Sequence, residues 1–268
     1  MRKKNNIATS PFIFLGEKTL EIIKKLGRVA ILFTKGLFFC FTPPFQFSKI
    51  IYQIYFIGAK SLLLICLIGS FTGMVLGLQG YYTLVKFGAE GMLGTAVALS
   101  IIRELGPVLT ALMITGRAGS AIAAEIGIMR NSEQIDALKT MDINPIRFLI
   151  SPKIIASIIS FPLLTAVFDV IGIAGGFMTG YLLLDINTGT YFSSIQSNLA
   201  ISDISGGFVK SMVFAFLVTG ICCYYGYYTH KTGGGFGAKG VSQSTTSAVV
   251  TSSVFIMAGD YVLTSFLL

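Results

Sequence analysis

Histidine is almost absent from this chain: His230 is the only one in 268 residues. A zinc hydrolase that needs two histidines on one helix face is thereby excluded. Charge is scarce too, at 12% of residues, where soluble domains carry roughly a quarter. Cysteine occurs only as Cys40, Cys66, Cys222 and Cys223, all in apolar stretches. Neither a disulfide framework nor a metal site is expected from them. A phosphate-binding loop is missing as well. The nearest candidate, GGGFGAKG at 233–240, has Ala238 where the template needs glycine and Gly240 where it needs Ser or Thr. It reads as a flexible turn, so no nucleotide site and no cofactor are expected. Any ATP and Mg must be bound by a partner. Basic residues open the chain (Arg2, Lys3, Lys4), but no compact apolar stretch with a small-residue cleavage site follows. No cleaved signal peptide is expected.

What the chain has is apolar length: 53% hydrophobic residues and a mean hydropathy of +0.78. The expected fold class is all-α integral membrane, with five transmembrane helices, an N-terminal interfacial helix and a short cytoplasmic helix. Residues 1–50 are basic and amphipathic, and their apolar patch at 29–41 is broken by Lys35 and stopped by Pro43-Pro44. That patch is too short to span and suits the membrane interface. Residues 51–268 form the five-span domain. At ~20 apolar residues per crossing, the spans fall at about 52–82, 91–116, 154–184, 208–228 and 241–268. Pro162 is a ready kink site in the long third span.

The basic residues set an orientation. Ten of the twenty Lys and Arg precede or include Lys60, and Arg117, Arg130, Lys139, Arg147 and Lys153 follow in the second loop. The 185–207 loop has none. The positive-inside rule places the N-terminus in the cytoplasm and the C-terminus outside. The net charge of +8 follows from this bias, so nucleic acid is not an expected partner. Tyr224, Tyr225, Tyr227 and Tyr228 would form an aromatic belt at the cytoplasmic end of the fourth span.

Three groups of residues stand out. Arg103 and Glu104 lie inside an apolar segment, where charge is costly and often functional. As helix neighbours they diverge by about 100° and need separate partners. Arg103, Thr110 and Arg117, spaced by seven, share one stripe that would line a cavity or a subunit contact. A polar cluster bridging to Asp169 or Lys210 explains the same residues structurally. The second group is a short polar helix at about 132–141, with Asn131 placed to cap it, Gln134 in capping-box position and Asn144-Pro145 to end it. It suits docking into a soluble partner, or is an ordinary surface helix. The third is a pair of glycine stripes, Gly69, Gly73, Gly77 and Gly172, Gly176, Gly180, whose spacing permits close helix packing. Hydroxyls at 242–246 open the fifth span and read as helix-bonding groups.

Together these residues resemble the MlaE-type permeases, membrane subunits of ABC systems that move phospholipid between membranes. Three motifs carry the resemblance: RELGPVLT at 103–110; GRAGS at 116–120 continuing through AAEIG at 123–127, Met129-Arg130 and EQIDAL at 133–138; and GAKGV at 237–241 with Ser244-Thr245-Thr246 and Ala248-Val249-Val250. The match covers about 48–268, with small departures at Ile128, Asn131 and Ser242. The resemblance implies a homodimer of five-span subunits. It implies a cytoplasmic ABC ATPase seated on a coupling helix that includes Glu133, Gln134, Ile135, Asp136, Ala137 and Leu138. A STAS-domain accessory protein and an MCE-domain substrate-binding protein are implied partners. So is a phospholipid pocket between subunits, lined by the first and fifth spans, near Arg103 and Glu104 and with Arg117 as a further candidate. A bacterial inner membrane is implied ahead of a plastid inner envelope. Two other readings remain: an intramembrane aspartyl protease using Asp169 and Asp260, and an ATP-independent channel or carrier. Inverted repeats, which favour a carrier, are not evident.

Overall fold

The computed structural model describes residues 10–42, 46–231 and 237–267. The basic triplet at 2–4, the Pro43-Pro44 stop and the first half of the expected turn at 233–240 lie outside them. The described residues are helical apart from short connections, with no strand among them.

Among the described residues eleven α-helices follow in chain order: α1 (Ser10–Phe41), α2 (Phe47–Ile57), α3 (Leu62–Leu84), α4 (Leu93–Ser100), α5 (Gly106–Ile114), α6 (Ser120–Asn131), α7 (Gln134–Thr140), α8 (Ser151–Leu184), α9 (Thr188–Asn198), α10 (Ile201–Tyr227) and α11 (Ala238–Leu267). Several join into longer rods. Five rods are long and apolar enough to cross a membrane: Phe47–Phe87, Glu90–Asn131, Ile146–Leu184, Ile201–Tyr227 and Ala238–Leu267. The fold is therefore the expected all-α membrane bundle of five spans.

The span limits differ from the expected ones for physical reasons. The second span runs on to Asn131, fifteen residues past the drop in hydropathy at Gly116. Its polar residues find partners inside the bundle, so Arg117 sits in a helix and not in a loop. Lys153 likewise belongs to α8, where its side chain is almost fully buried against Glu125 at 2.7 Å. The expected 185–207 loop contains α9, capped by Asn187, whose Oδ1 accepts from the Gly189 N–H at 2.8 Å. This helix clips onto α4 and α8: Thr95 of α4 donates to the Ser194 carbonyl at 2.7 Å, and Tyr191 donates to the Ile173 carbonyl of α8 at 3.1 Å. Burial holds the Tyr191 phenol well above its ordinary pKa, so it stays a donor.

The core seam is α3 on α8. Gly69 faces Phe168, Gly73 faces Gly172 and Gly77 faces Gly176. A methyl group at Gly73 would collide with the Gly172 carbonyl. The second stripe serves two neighbours, because Gly172 and Gly176 also lie against Ile101 and Val97 of the second span. Gly180 sits more loosely, with Leu93 3.5 Å from where a Cβ would be. Pro162 is buried inside α8, near the level where Gly58 meets Ser160.

The first span is broken at Gly58, where a short turn (Ala59–Ser61) separates α2 from α3. The second is interrupted twice by π-helical turns, Ile101–Leu105 and Thr115–Gly119. Such turns insert a residue and shift the register of everything beyond them, and they often occur at functional sites. The bundle thus has two distinct ends. One carries α7 and the packed part of α1, where Phe33 meets Phe216 at 5.0 Å between ring centroids and Gly36 meets Ile154. The other carries α9 and the end of α11.

Candidate functional site

A charged knot lies toward the α9 end, where the second, fourth and fifth spans meet. Its centre is Lys210 on α10, with a side chain 3% exposed. Its Nζ contacts Glu104 Oε2 at 2.8 Å and Asp260 Oδ1 at 3.1 Å, and donates to Thr264 Oγ1 at 2.7 Å and the Arg103 carbonyl at 2.9 Å. Thr264 donates in turn to Glu104 Oε1 at 3.1 Å. One turn away, Arg103 Nη2 pairs with Asp203 Oδ1 at 2.8 Å, and its Nε donates to the same oxygen at 2.9 Å. Asp203 is itself held by the Ala200 N–H at 3.1 Å.

Local sequence explains the geometry. The π turn holds Arg103 and Glu104, which reach different partners, and the Arg103 carbonyl accepts from Lys210. Asp203 and Lys210, seven residues apart, occupy one face of α10 with Gly207 between them. A Cβ on Gly207 would come within 2.6 Å of the Ile102 carbonyl, so glycine is what lets α10 approach the π turn closely. Two cations and three carboxylates are thus concentrated in one place. A buried charge is tolerated only when paired and hydrogen-bonded, and Lys210 meets both conditions. Beside the knot is a cavity of about 40 Å³, lined by Arg103, Glu104, Asp203, Gly207, Thr264 and Leu267. That space holds a few waters and no whole lipid. Arg103 remains 42% exposed and faces it.

Arg117 is not part of this knot. It lies fourteen residues further along the second span, ~20 Å at the rise of a helix, and the stripe with Arg103 and Thr110 is interrupted by the π turns. Its Nη1 donates to the Phe56 carbonyl and to Ser61 Oγ, both at 2.7 Å. Arg117 thereby ties the second span to the break in the first. Thr110 is buried with its hydroxyl unpartnered.

At the opposite end, the polar helix is shorter than expected, Gln134–Thr140. The expected capping box does not form. Asn131 is the last residue of α6, and Glu133 precedes α7 in a left-handed conformation (φ 58°) with no side-chain cap. The reason is the unbroken run of α6, which leaves Asn131 helical and unable to cap. Asp136 anchors the turn instead, accepting from Arg130 Nη1 and Lys139 Nζ, both at 2.9 Å. These two cations hold its carboxyl below the ordinary carboxylate range. Ile135 is fully buried, and Leu138 packs against the core. Glu133, Gln134, Ala137 and Lys139 face outward. Beside α7, α6 and α11 flank an open groove of about 670 Å³ lined by Ala124, Ile128, Asn131, Ser132, Val241 and Thr245.

The two acids that a protease needs are not joined. Asp260 faces Lys210, whereas Asp169 lies against Gly106 with Oδ1 unpartnered. Asp203, Glu125 and Lys153 are the partners that sequence reasoning did not single out as site residues. A usable signal existed for Asp203: it and Lys210 are the only charged side chains between Asp185 and Lys231, and their spacing of seven puts them on one face.

The family model described as Permease MlaE matches residues 50–266. A probable ABC transporter permease protein of Rickettsia bellii is 44% identical over 97% of this chain and 96% of its own. The intermembrane phospholipid transport system permease protein MlaE of Haemophilus influenzae is 41% identical over 94% of this chain and 95% of its own.

Proposed function

The chain belongs to the MlaE permease family, and on that premise we propose that it is the membrane permease subunit of an ABC transporter that moves phospholipid between membranes. The observation that carries this reading is the near full-length similarity to the Haemophilus phospholipid permease. The protease reading is not favoured, given the separate environments of Asp169 and Asp260.

Finer parts of the reading are these. Two copies assemble as a homodimer, because the fifth span leaves Val250, Val254, Tyr261 and Phe266 exposed and the cavity beside the knot is far too small for a lipid. Acyl chains then lie between subunits against the first and fifth spans, each buried CH₂ contributing ~0.8 kcal/mol. Arg103 meets the lipid phosphate, and Glu104 balances charge through Lys210. A cytoplasmic ABC ATPase binds ATP and Mg and docks on the outward face of α7. A STAS-domain protein and an MCE-domain substrate-binding protein complete the assembly. The membrane is a bacterial inner membrane, with the α7 end and the N-terminus cytoplasmic and the C-terminus outside. Residues 1–50 lie in the interface, which the exposed Leu20, Ile23, Ile31 and Phe38 of α1 favour.

Purification of the tagged protein from its own host in mild detergent tests the assembly. An ATPase, a STAS protein and an MCE protein in stable ratio are expected. The chain alone, even after cross-linking, would sink the ABC assignment. In the purified assembly, Arg103→Ala is expected to reduce ATP-driven transfer of labelled phospholipid between vesicles, and unchanged transfer overturns the role of Arg103.

A further inference from the structure

Several cations in the spans have no carboxylate partner among the described residues: Lys49 lies over the Phe148 ring, Arg147 donates to the Thr42 carbonyl, and Arg117 belongs with them. Arg103, Arg130, Lys153 and Lys210 each contact a carboxylate. Arg117 contacts none among the described residues. Its Nη1 is engaged by the Phe56 carbonyl and Ser61, and its Nε and Nη2 have no acceptor among the described residues. A guanidinium in a membrane span that lacks a counter-charge has a strong electrostatic demand for one. Its remaining N–H groups form the planar fork that matches phosphate oxygens.

A second cation is close by. Lys60 is exposed, and its Nζ lies 5.6 Å from the centroid of the Phe56 ring, while Arg117 Cζ lies 5.3 Å from the same centroid. Lys60 has no carboxylate partner among the described residues. There is also room: Gly116 is exposed, and nothing lies within 4 Å of where its Cβ would stand. Leu63 and Leu67, one and two helical turns beyond Lys60, are 73% and 50% exposed. They continue the stripe along which an acyl chain would run.

We propose that Arg117 and Lys60 form a site for the phosphate of an anionic phospholipid at the break in the first span, separate from the Lys210 knot. The lipid phosphate supplies the charge that the protein withholds from Arg117, and its tails lie along Leu63 and Leu67. The inference rests on the membrane embedding of the chain and not on ATP-driven transfer.

The test is lipid retention by the full-length protein, extracted from equimolar phosphatidylglycerol–phosphatidylcholine bilayers and weighed with its bound lipid by native mass spectrometry. Each cation near anionic lipid favours it by about fivefold, so the wild type is expected to enrich phosphatidylglycerol by at least that factor. Lys60→Gln, which removes no hydrogen bond to the protein, is expected to lose about fivefold. Arg117→Lys, which keeps a donor for the Phe56 carbonyl but loses the fork, is expected to reduce enrichment as well. Unchanged enrichment in both variants, or none in the wild type, overturns the site. Displacement of the lipid by glycerol 3-phosphate would assign the site to a soluble phosphate and overturn the lipid assignment. The readout needs no ATPase, so failure of the transport reading would leave this result standing.

Discussion

Two seams hold this bundle together, and they do so by opposite means. Along α3 and α8, glycines bring backbone against backbone, with Gly73 and Gly172 in direct opposition. Along α10 and the second span, one glycine, Gly207, admits a contact that charges then close: Asp203 with Arg103, and Lys210 with Glu104 and Asp260. The first seam has one arrangement, fixed by shape. The second is closed by three ion pairs among five charged groups, with Lys210 also donating to the Arg103 carbonyl.

The contrast is broken most severely at Lys210. Lys210→Met leaves Glu104 and Asp260 without their buried cation, and a loss of about 3–5 kcal/mol is expected on removing one partner of such a pair. Thermal unfolding in detergent measures it. Adding Glu104→Gln and Asp260→Asn to Lys210→Met should recover part of the loss, and no recovery would mean that packing, not charge, holds this seam. Gly73→Val attacks the other seam and should cost about 1–3 kcal/mol or more by overpacking. Gly180→Ala, whose methyl would meet Leu93 at ordinary contact distance, is the matched control and should be near neutral. Thr264→Val removes a hydroxyl that links Lys210 to Glu104 and should cost about 1 kcal/mol.

The smallest effect is expected at α7, outside both seams. The Asp136 carboxyl has a folded pKa below its ordinary 3.8, because Lys139 and Arg130 bond the charged form. Its contribution is therefore complete above pH 3.8 and is lost as pH falls through the lower folded value. Amide exchange in α7 should quicken in that window, and Asp136→Asn should remove the pH dependence. In the assembled transporter, Asp136→Asn and Leu138→Ala should uncouple ATP hydrolysis from lipid transfer. Full coupling in both would count against docking through α7.

The sequence made the five apolar runs legible, because hydropathy alone decides whether a segment can cross a membrane. It did not reveal where they stop. The second span passes through Arg117, Glu125 and Arg130 because each finds a partner on a distant segment, and no local pattern records that Arg117 bonds the Phe56 carbonyl. The need of Arg103 and Glu104 for separate partners followed from helix geometry, and Lys210 was among the candidates. Asp203 was missed, although it stands alone with Lys210 in a long uncharged stretch. The seven-residue stripe through Arg103, Thr110 and Arg117 assumed an unbroken α-helix, and two π turns removed that assumption. The Ser-rich α9 was hidden because its helicity depends on docking against α4.

Synthesis order gives the Lys210 knot another meaning. The second span is made first, bearing Arg103 and Glu104, followed by the fourth with Lys210 and last the fifth with Asp260. A lone lysine or aspartate in an inserting helix is costly, by about 2.5–3.5 kcal/mol at the helix centre and less toward its ends. The fourth span can shed that cost by meeting Glu104 on the second, which is already in place. The fifth can then enter against an ammonium that is waiting for it. A chain truncated before Asp260 would leave Lys210 short of one of its two carboxylates.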